Sequence, residues 1–123
     1  MKRFHVNIGT ADLKRSVEFY TRLFAAEPTV LKNDYAKWML DDPYVNFSVS
    51  KECCSKGIEH IGLQTETLEE LEELRRRIDT ASDKTIEEPD VQCCYARSTK
   101  TWVSDPDNVR WETFVTHEQV DAR

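Results

Sequence analysis

The sequence predicts an α+β fold: two βαβββ repeats that form a half-open β-barrel with the helices on its convex side. Three observations predict it. A strand-like alternation followed by an amphipathic stretch occurs twice. The two copies align at a constant offset, His5-Val6-Asn7-Ile8 on His60-Ile61-Gly62-Leu63. Each amphipathic stretch is then followed by short strand-like runs separated by turn residues.

The elements follow in order. Residues 3–8 alternate, with Phe4, Val6 and Ile8 on one face and Arg3, His5 and Asn7 on the other, as in a half-buried strand. Residues 10–12 carry helix-start chemistry. Leu13, Val17, Tyr20 and Phe24 then recur at helical spacing, with Lys14, Arg15, Glu18 and Arg22 elsewhere on the wheel. Pro28 ends that region. A short strand is expected at 29–32, and two more at 35–40 and 45–50 across an Asp41-Asp42-Pro43 turn.

In the second copy, residues 58–64 alternate, with Ile61 and Leu63 opposite His60, Gly62 and Gln64. Thr67-Leu68-Glu69-Glu70 is a capping box. Leu68, Leu71, Leu74 and Ile78 form the apolar stripe, and Arg75, Arg76 and Arg77 are expected near the helix end, where the dipole favours them. Strands are expected near 85–87, 92–97, 100–103 and 110–115, with Asp105-Pro106-Asp107-Asn108 as the last turn. The polar residues from 116 onward are expected to fray. This makes one domain over 1–116, with repeats of about 1–52 and 56–116, and a polar tail over 117–123.

A chain of 123 residues suffices for one compact domain with a core. With 39 % hydrophobic and 33 % charged residues, it reads as globular rather than disordered. The net charge of −6 argues against nucleic acid or an anionic membrane as a partner. Met1-Lys2-Arg3-Phe4 leads straight into a strand pattern rather than a signal peptide, so a cytoplasmic location is expected.

Both repeat histidines lie opposite the aliphatic residues of their strands, which turns them toward the concave interior. Glu112 stands in an otherwise apolar strand, Trp111-Glu112-Thr113-Phe114, out of phase with its neighbours, so it can face the same cavity. Two imidazoles and one carboxylate suit non-haem Fe(II); the same ligands also suit Zn, Ni, Co or Mn, so the residues alone leave the metal open. The bland reading is that each histidine is a satisfied, partly buried strand side chain. His117, in the polar tail, is read that way.

Four cysteines come as two adjacent pairs, Cys53-Cys54 and Cys93-Cys94. The spacing is neither that of a disulfide scaffold nor that of a zinc finger, and reduced thiols are expected. Adjacent thiols suit a soft, thiol-seeking centre. Neighbours in a regular strand point to opposite faces, so Cys93 and Cys94 reach one atom only from a loop or an irregular strand end, which Pro89-Asp90 favours. No role is assigned to Cys53 and Cys54. Tyr35, Trp38, Tyr95 and Trp102 are read as core or as pocket walls. Lys100 is left between orienting an anionic oxygen and a solvated strand charge.

The repeated pattern, with a histidine opening each half and a late glutamate, resembles the vicinal oxygen chelate superfamily, which includes glyoxalase I and extradiol dioxygenases. Longer stretches narrow the resemblance. Asp34-Tyr35-Ala36-Lys37-Trp38-Met39-Leu40-Asp41-Asp42-Pro43, Val45-Asn46-Phe47, Cys93-Cys94-Tyr95-Ala96-Arg97-Ser98 and Lys100-Thr101-Trp102-Val103 look like the organoarsenical carbon–arsenic lyase and cadmium-induced protein family. The likeness runs from Met1 to about Phe114.

The resemblance implies an Fe(II)-dependent dioxygenase-type lyase that uses O2 to break the carbon–arsenic bond of trivalent organoarsenicals such as methylarsenite. It implies His5, His60 and Glu112 as metal ligands and Cys93 and Cys94 as the arsenic-capturing thiols. The family often has a second histidine where Asn7 stands, a departure expected to alter the surroundings of the metal ligands more than the ligands themselves. Two other readings compete: a thiol protein that sequesters cadmium or arsenite without turnover, and another glyoxalase- or fosfomycin-resistance-type metalloenzyme. The repeats can close within one chain or exchange halves between two, and a homodimer is the favoured arrangement.

Overall fold

The structure, a computed structural model, describes residues 1–51, 55–82 and 84–121. The pair Cys53-Cys54 lies outside the described residues. The elements run β1 (Arg3–Thr10), α1 (Leu13–Phe24), β2 (Val30–Leu31), β3 (Tyr35–Asp41), β4 (Tyr44–Lys51), β5 (Gly57–Thr65), α2 (Leu68–Ala81), β6 (Thr85–Cys93), β7 (Ala96–Ser104) and β8 (Arg110–Gln119). The order βαβββ occurs twice, which is the expected α+β class. Among the described residues no helix is long and apolar enough to cross a membrane. Contacts divide the chain into two compact units, residues 4–61 and residues 62–123 with 1–3.

In the unit of residues 4–61 the strand order is β2-β3-β4-β1. β1 runs parallel to β4, and β3 is antiparallel to both β2 and β4. α1 begins on Asp12, whose carboxylate accepts the Arg15 amide at 3.1 Å, and ends on Ala25 in the left-handed conformation, one turn before Pro28. It packs on β3 and β4. Leu13, Ala36, Trp38 and Val49 form the buried cluster, joined by Ile8, Val17, Tyr20, Phe24 and Phe47. Trp38 is therefore core, and its indole N–H is satisfied by the Ala26 carbonyl at 2.8 Å. The opposite face of the same strands is polar and also buried: His5, Asn7, Lys37, Asn46, Ser48 and Ser50. A polar face held out of water must bond within itself, and His5 stands on it.

In the unit of residues 62–123 the order is β5-β8-β7-β6, with β6–β7 and β7–β8 antiparallel. The capping box forms: Thr67 accepts the Glu70 amide at 3.2 Å, and Glu70 reaches back to the Glu66 amide at 3.0 Å. α2 buries Leu71 and Leu74 against β7 and β8. It runs on to Ala81, so Arg75, Arg76 and Arg77 lie mid-helix rather than in the last turn. There Arg75 and Arg77 pair with Glu72, Glu87 and Glu73, which replaces the dipole argument with ion pairing.

Three expectations in this unit are corrected. The strand expected at 92–97 is broken by a two-residue turn at Cys94-Tyr95, and the strand after it is continuous over Ala96–Ser104. Pro89-Asp90 is an irregularity within β6 rather than a loop before the thiols, since the ladder resumes at Val91. The residues from 116 are also less frayed than expected: β8 holds its pairing to Gln119.

Candidate active site

Each unit holds a polar group of its own. In residues 4–61 it is a histidine pair. His5 and His60 stand with their Nε2 atoms 3.0 Å apart and their rings tilted by 47°. His5 Nδ1 lies 3.0 Å from the Asn46 carbonyl, and His60 Nδ1 bonds the Glu59 carboxylate. Both partners only accept, so each Nδ1 donates and the two Nε2 atoms are left facing each other. Two ring nitrogens at that separation need a cation between them, a proton or a metal ion. The donors thus fit a divalent metal, and Asn46 and Glu59 fix the tautomer that ligation needs.

Asn7 shares the His5 face. Its Oδ1 accepts from Ser48 Oγ at 2.7 Å and Ser50 Oγ at 3.2 Å. Asn46 and Glu59 were not singled out by the sequence reading. The strand alternation Asn46, Ser48, Ser50 was the available signal for the first; Glu59, a neighbour of His60 in the strand, had none.

In residues 62–123 the group is a buried ion pair beside the thiols. Glu112 is 5 % exposed, and Lys100 Nζ donates to its Oε2 at 2.8 Å. Lys100 is therefore a buried partner of Glu112, not a solvated charge. Burial works against the ammonium, but Glu112 first, and then Cys93 and Cys94, outweigh it and hold the Lys100 pKa above the ordinary lysine value. Gly62 sets the carboxylate's backbone: a Cβ there would come within 2.0 Å of the Glu112 carbonyl oxygen. Trp102 stands opposite Glu112 in the ladder, its indole N–H held by Glu88 at 2.6 Å and its ring covered by Arg110 at 4.5 Å.

The thiols sit on the turn. Cys93 ends β6 opposite Ala96, and Cys94 and Tyr95 have φ of 52° and 66°. Two left-handed residues are the signature of a type I′ hairpin turn. That conformation defeats the strand alternation that would send the side chains apart, and the two sulfurs lie 3.4 Å from each other. Cys93 is exposed and Cys94 half-buried. His117 bonds Thr99 at 2.7 Å and stays outside this group.

Residues 2–113 match the Glyoxalase/Bleomycin resistance protein/Dioxygenase superfamily. The chain is 37 % identical to a trivalent organoarsenical cleaving enzyme of Bacillus sp. (strain MD1), over 98 % of this chain and 77 % of that protein. It is 30 % identical to a cadmium-induced protein of Mycobacterium tuberculosis, over 93 % of this chain and 76 % of that one. In three dimensions it resembles the Mn(II)-bound glyoxalase of Novosphingobium aromaticivorans, with a TM-score of 0.67 at 19 % identity, over 100 % of this chain and 44 % of that one. The chain belongs to the glyoxalase/bleomycin resistance protein/dioxygenase superfamily and, within it, to the family of the trivalent organoarsenical cleaving enzymes and cadmium-induced proteins.

Proposed function

We propose that this protein is an Fe(II)-dependent, dioxygenase-type lyase that cleaves the carbon–arsenic bond of trivalent organoarsenicals such as methylarsenite. The observation that carries the reading is the dithiol: two reduced sulfurs 3.4 Å apart in the unit that also holds a buried carboxylate. Trivalent arsenic is soft and bonds thiolates. One organic substituent leaves it two valences, which neighbouring thiols fill.

In this reading His5, His60 and Glu112 hold the metal. Fe(II), when bound, supplies a redox-active centre with positions open to O2 and substrate. The chain's own residues do the rest. Asn46 and Glu59 keep both imidazoles in the ligating tautomer. Lys100 occupies one oxygen of Glu112 and so orients the other. Cys93 and Cys94 displace the two hydroxyls of the arsenous acid, each thiol proton leaving with one hydroxyl as water, and keep the organic substituent in place, which turns a bimolecular encounter into an effectively unimolecular one. For methylarsenous acid, CH3As(OH)2 and O2 give As(OH)3 and formaldehyde. Every atom balances and no further electrons are needed.

The test is anaerobic incubation with Fe(II) and methylarsenite, then admission of air and arsenic speciation. Arsenite should appear only with air, and not in Cys93→Ser, Cys94→Ser or His60→Ala. The exposure of Cys93 favours a second reading, sequestration of soft metals without turnover. It predicts that arsenic or cadmium binding survives His60→Ala and that air releases no arsenite. Activity on another substrate that survives loss of both thiols would instead identify a different glyoxalase-type enzyme.

A further inference from the structure

The Cys94-Tyr95 turn is costly in isolation. Neither residue is Gly or Asn, and an L-residue with a Cβ adopts the left-handed conformation only against a steric penalty. Something must hold it, and the contacts around it come from the end of β8. Val120 N–H donates to the Tyr95 carbonyl at 2.8 Å. Gln119 pairs with Ala96 and Glu118 with Arg97. Arg97 bonds Glu118 at 3.1 Å and Asp90 at 2.6 Å, which ties β8 through β7 to the irregular part of β6. The β7–β8 register shifts between Arg97 and Ser98, because Arg97 pairs with Glu118 but Ser98 with Thr116. His117 is the extra residue of that bulge, and its bond to Thr99 fixes it; Thr99 in turn accepts the Asp90 amide at 3.1 Å. The Tyr95 side chain is buried beneath the turn.

We propose that residues 117–120 are a clamp that holds Cys93 and Cys94 as a preformed two-point ligand, selecting trivalent arsenicals with one organic group and two exchangeable positions over those with two organic groups and one. Arg97, Glu118 and Val120 are then positioning residues. This rests on the thiol role proposed above. A preset pair binds a bridging atom without spending free energy on ordering itself, whereas a reagent that takes one sulfur gains nothing from the clamp.

The probes are phenylarsine oxide, which bridges two thiols, and iodoacetamide, which takes one. Val120→Pro removes the N–H that the Tyr95 carbonyl accepts. Arg97→Met removes both ion pairs and serves if the proline variant misfolds. Each variant should bind phenylarsine oxide about tenfold or more weakly, while alkylation by iodoacetamide, Mn(II) affinity and far-ultraviolet circular dichroism stay as in the unaltered protein. Unchanged phenylarsine oxide affinity in folded variants overturns the clamp, as does an equal loss toward both reagents. Dimethylarsinous acid binding as tightly as phenylarsine oxide overturns the selectivity. If the unaltered protein binds phenylarsine oxide through both cysteines but never releases arsenite in air, the lyase reading fails and the clamp stands.

Discussion

The two repeats keep a histidine in the same place and differ two residues later, where Asn7 in one corresponds to Gly62 in the other. In the first repeat the Asn7 amide oxygen is filled by the hydroxyls of Ser48 and Ser50. In the second no side chain is tolerated, because the Glu112 backbone occupies the space a Cβ needs. The strand that follows differs in step. The last strand of the first repeat buries Asn46, Ser48 and Ser50, whereas that of the second buries Glu112. One half has become a hydrogen-bonded polar floor and the other has acquired the charge. The first unit holds both imidazoles; the second holds the carboxylate and its lysine.

The largest effect should come from breaking the charged side of this pair. Glu112→Ala leaves Lys100 buried beside no carboxylate and should cost about 3–5 kcal/mol in the metal-free protein. Ser48→Ala, in the last strand of the first repeat, removes one hydroxyl donor and should cost about 1 kcal/mol. Urea unfolding of both variants measures the contrast. Lys100→Met combined with Glu112→Met should recover most of the loss, since it removes both charges. Equal costs for Glu112→Ala and Ser48→Ala would show that the repeats do not differ in this way.

Next is the residue after each histidine's neighbour. Gly62→Ala must push the Glu112 backbone aside and should cost about 1–3 kcal/mol, with weaker Mn(II) binding. Asn7→Ala leaves two serine hydroxyls without their acceptor and should cost about 1–2 kcal/mol while Mn(II) affinity changes little. Calorimetric titration of both variants with Mn(II) separates them. A greater loss of affinity in Asn7→Ala than in Gly62→Ala would count against Glu112 as the proposed ligand.

The same contrast explains what could be read from the sequence. The βαβββ order was legible because strand and helix periods differ, and the histidines because duplication placed them at matching positions. Glu112 was legible as an acid among apolar neighbours. The thiol turn was not, since Cys94-Tyr95 lacks the Asn-Gly signal of a type I′ turn and is held instead by β8, far along the chain. Nor was the partner of Lys100, which pairs diagonally across β7 and β8 in a register that propensity does not encode. Local chemistry was visible in the residues; the contacts that tertiary pairing imposes were not.

The two helices offer the smallest contrast. α1 starts on Asp12 alone, whereas α2 has Thr67 and Glu70 bonding reciprocally. The Glu66 amide first, then the amino terminus and Lys2, hold the Glu70 pKa below the ordinary value of 4.5 even though some burial opposes them. A carboxylate with a lowered folded pKa contributes its stability above the unfolded value and loses it as pH falls through the folded one. The difference in unfolding midpoint between the unaltered protein and Glu70→Gln should therefore be small and constant above pH 4.5, and should shrink toward zero as the pH is lowered further. A difference that grows on acidification would mean that Glu70 is stabilised in its protonated form, and that the α2 cap works through the Thr67 hydroxyl alone, as the α1 cap works through Asp12.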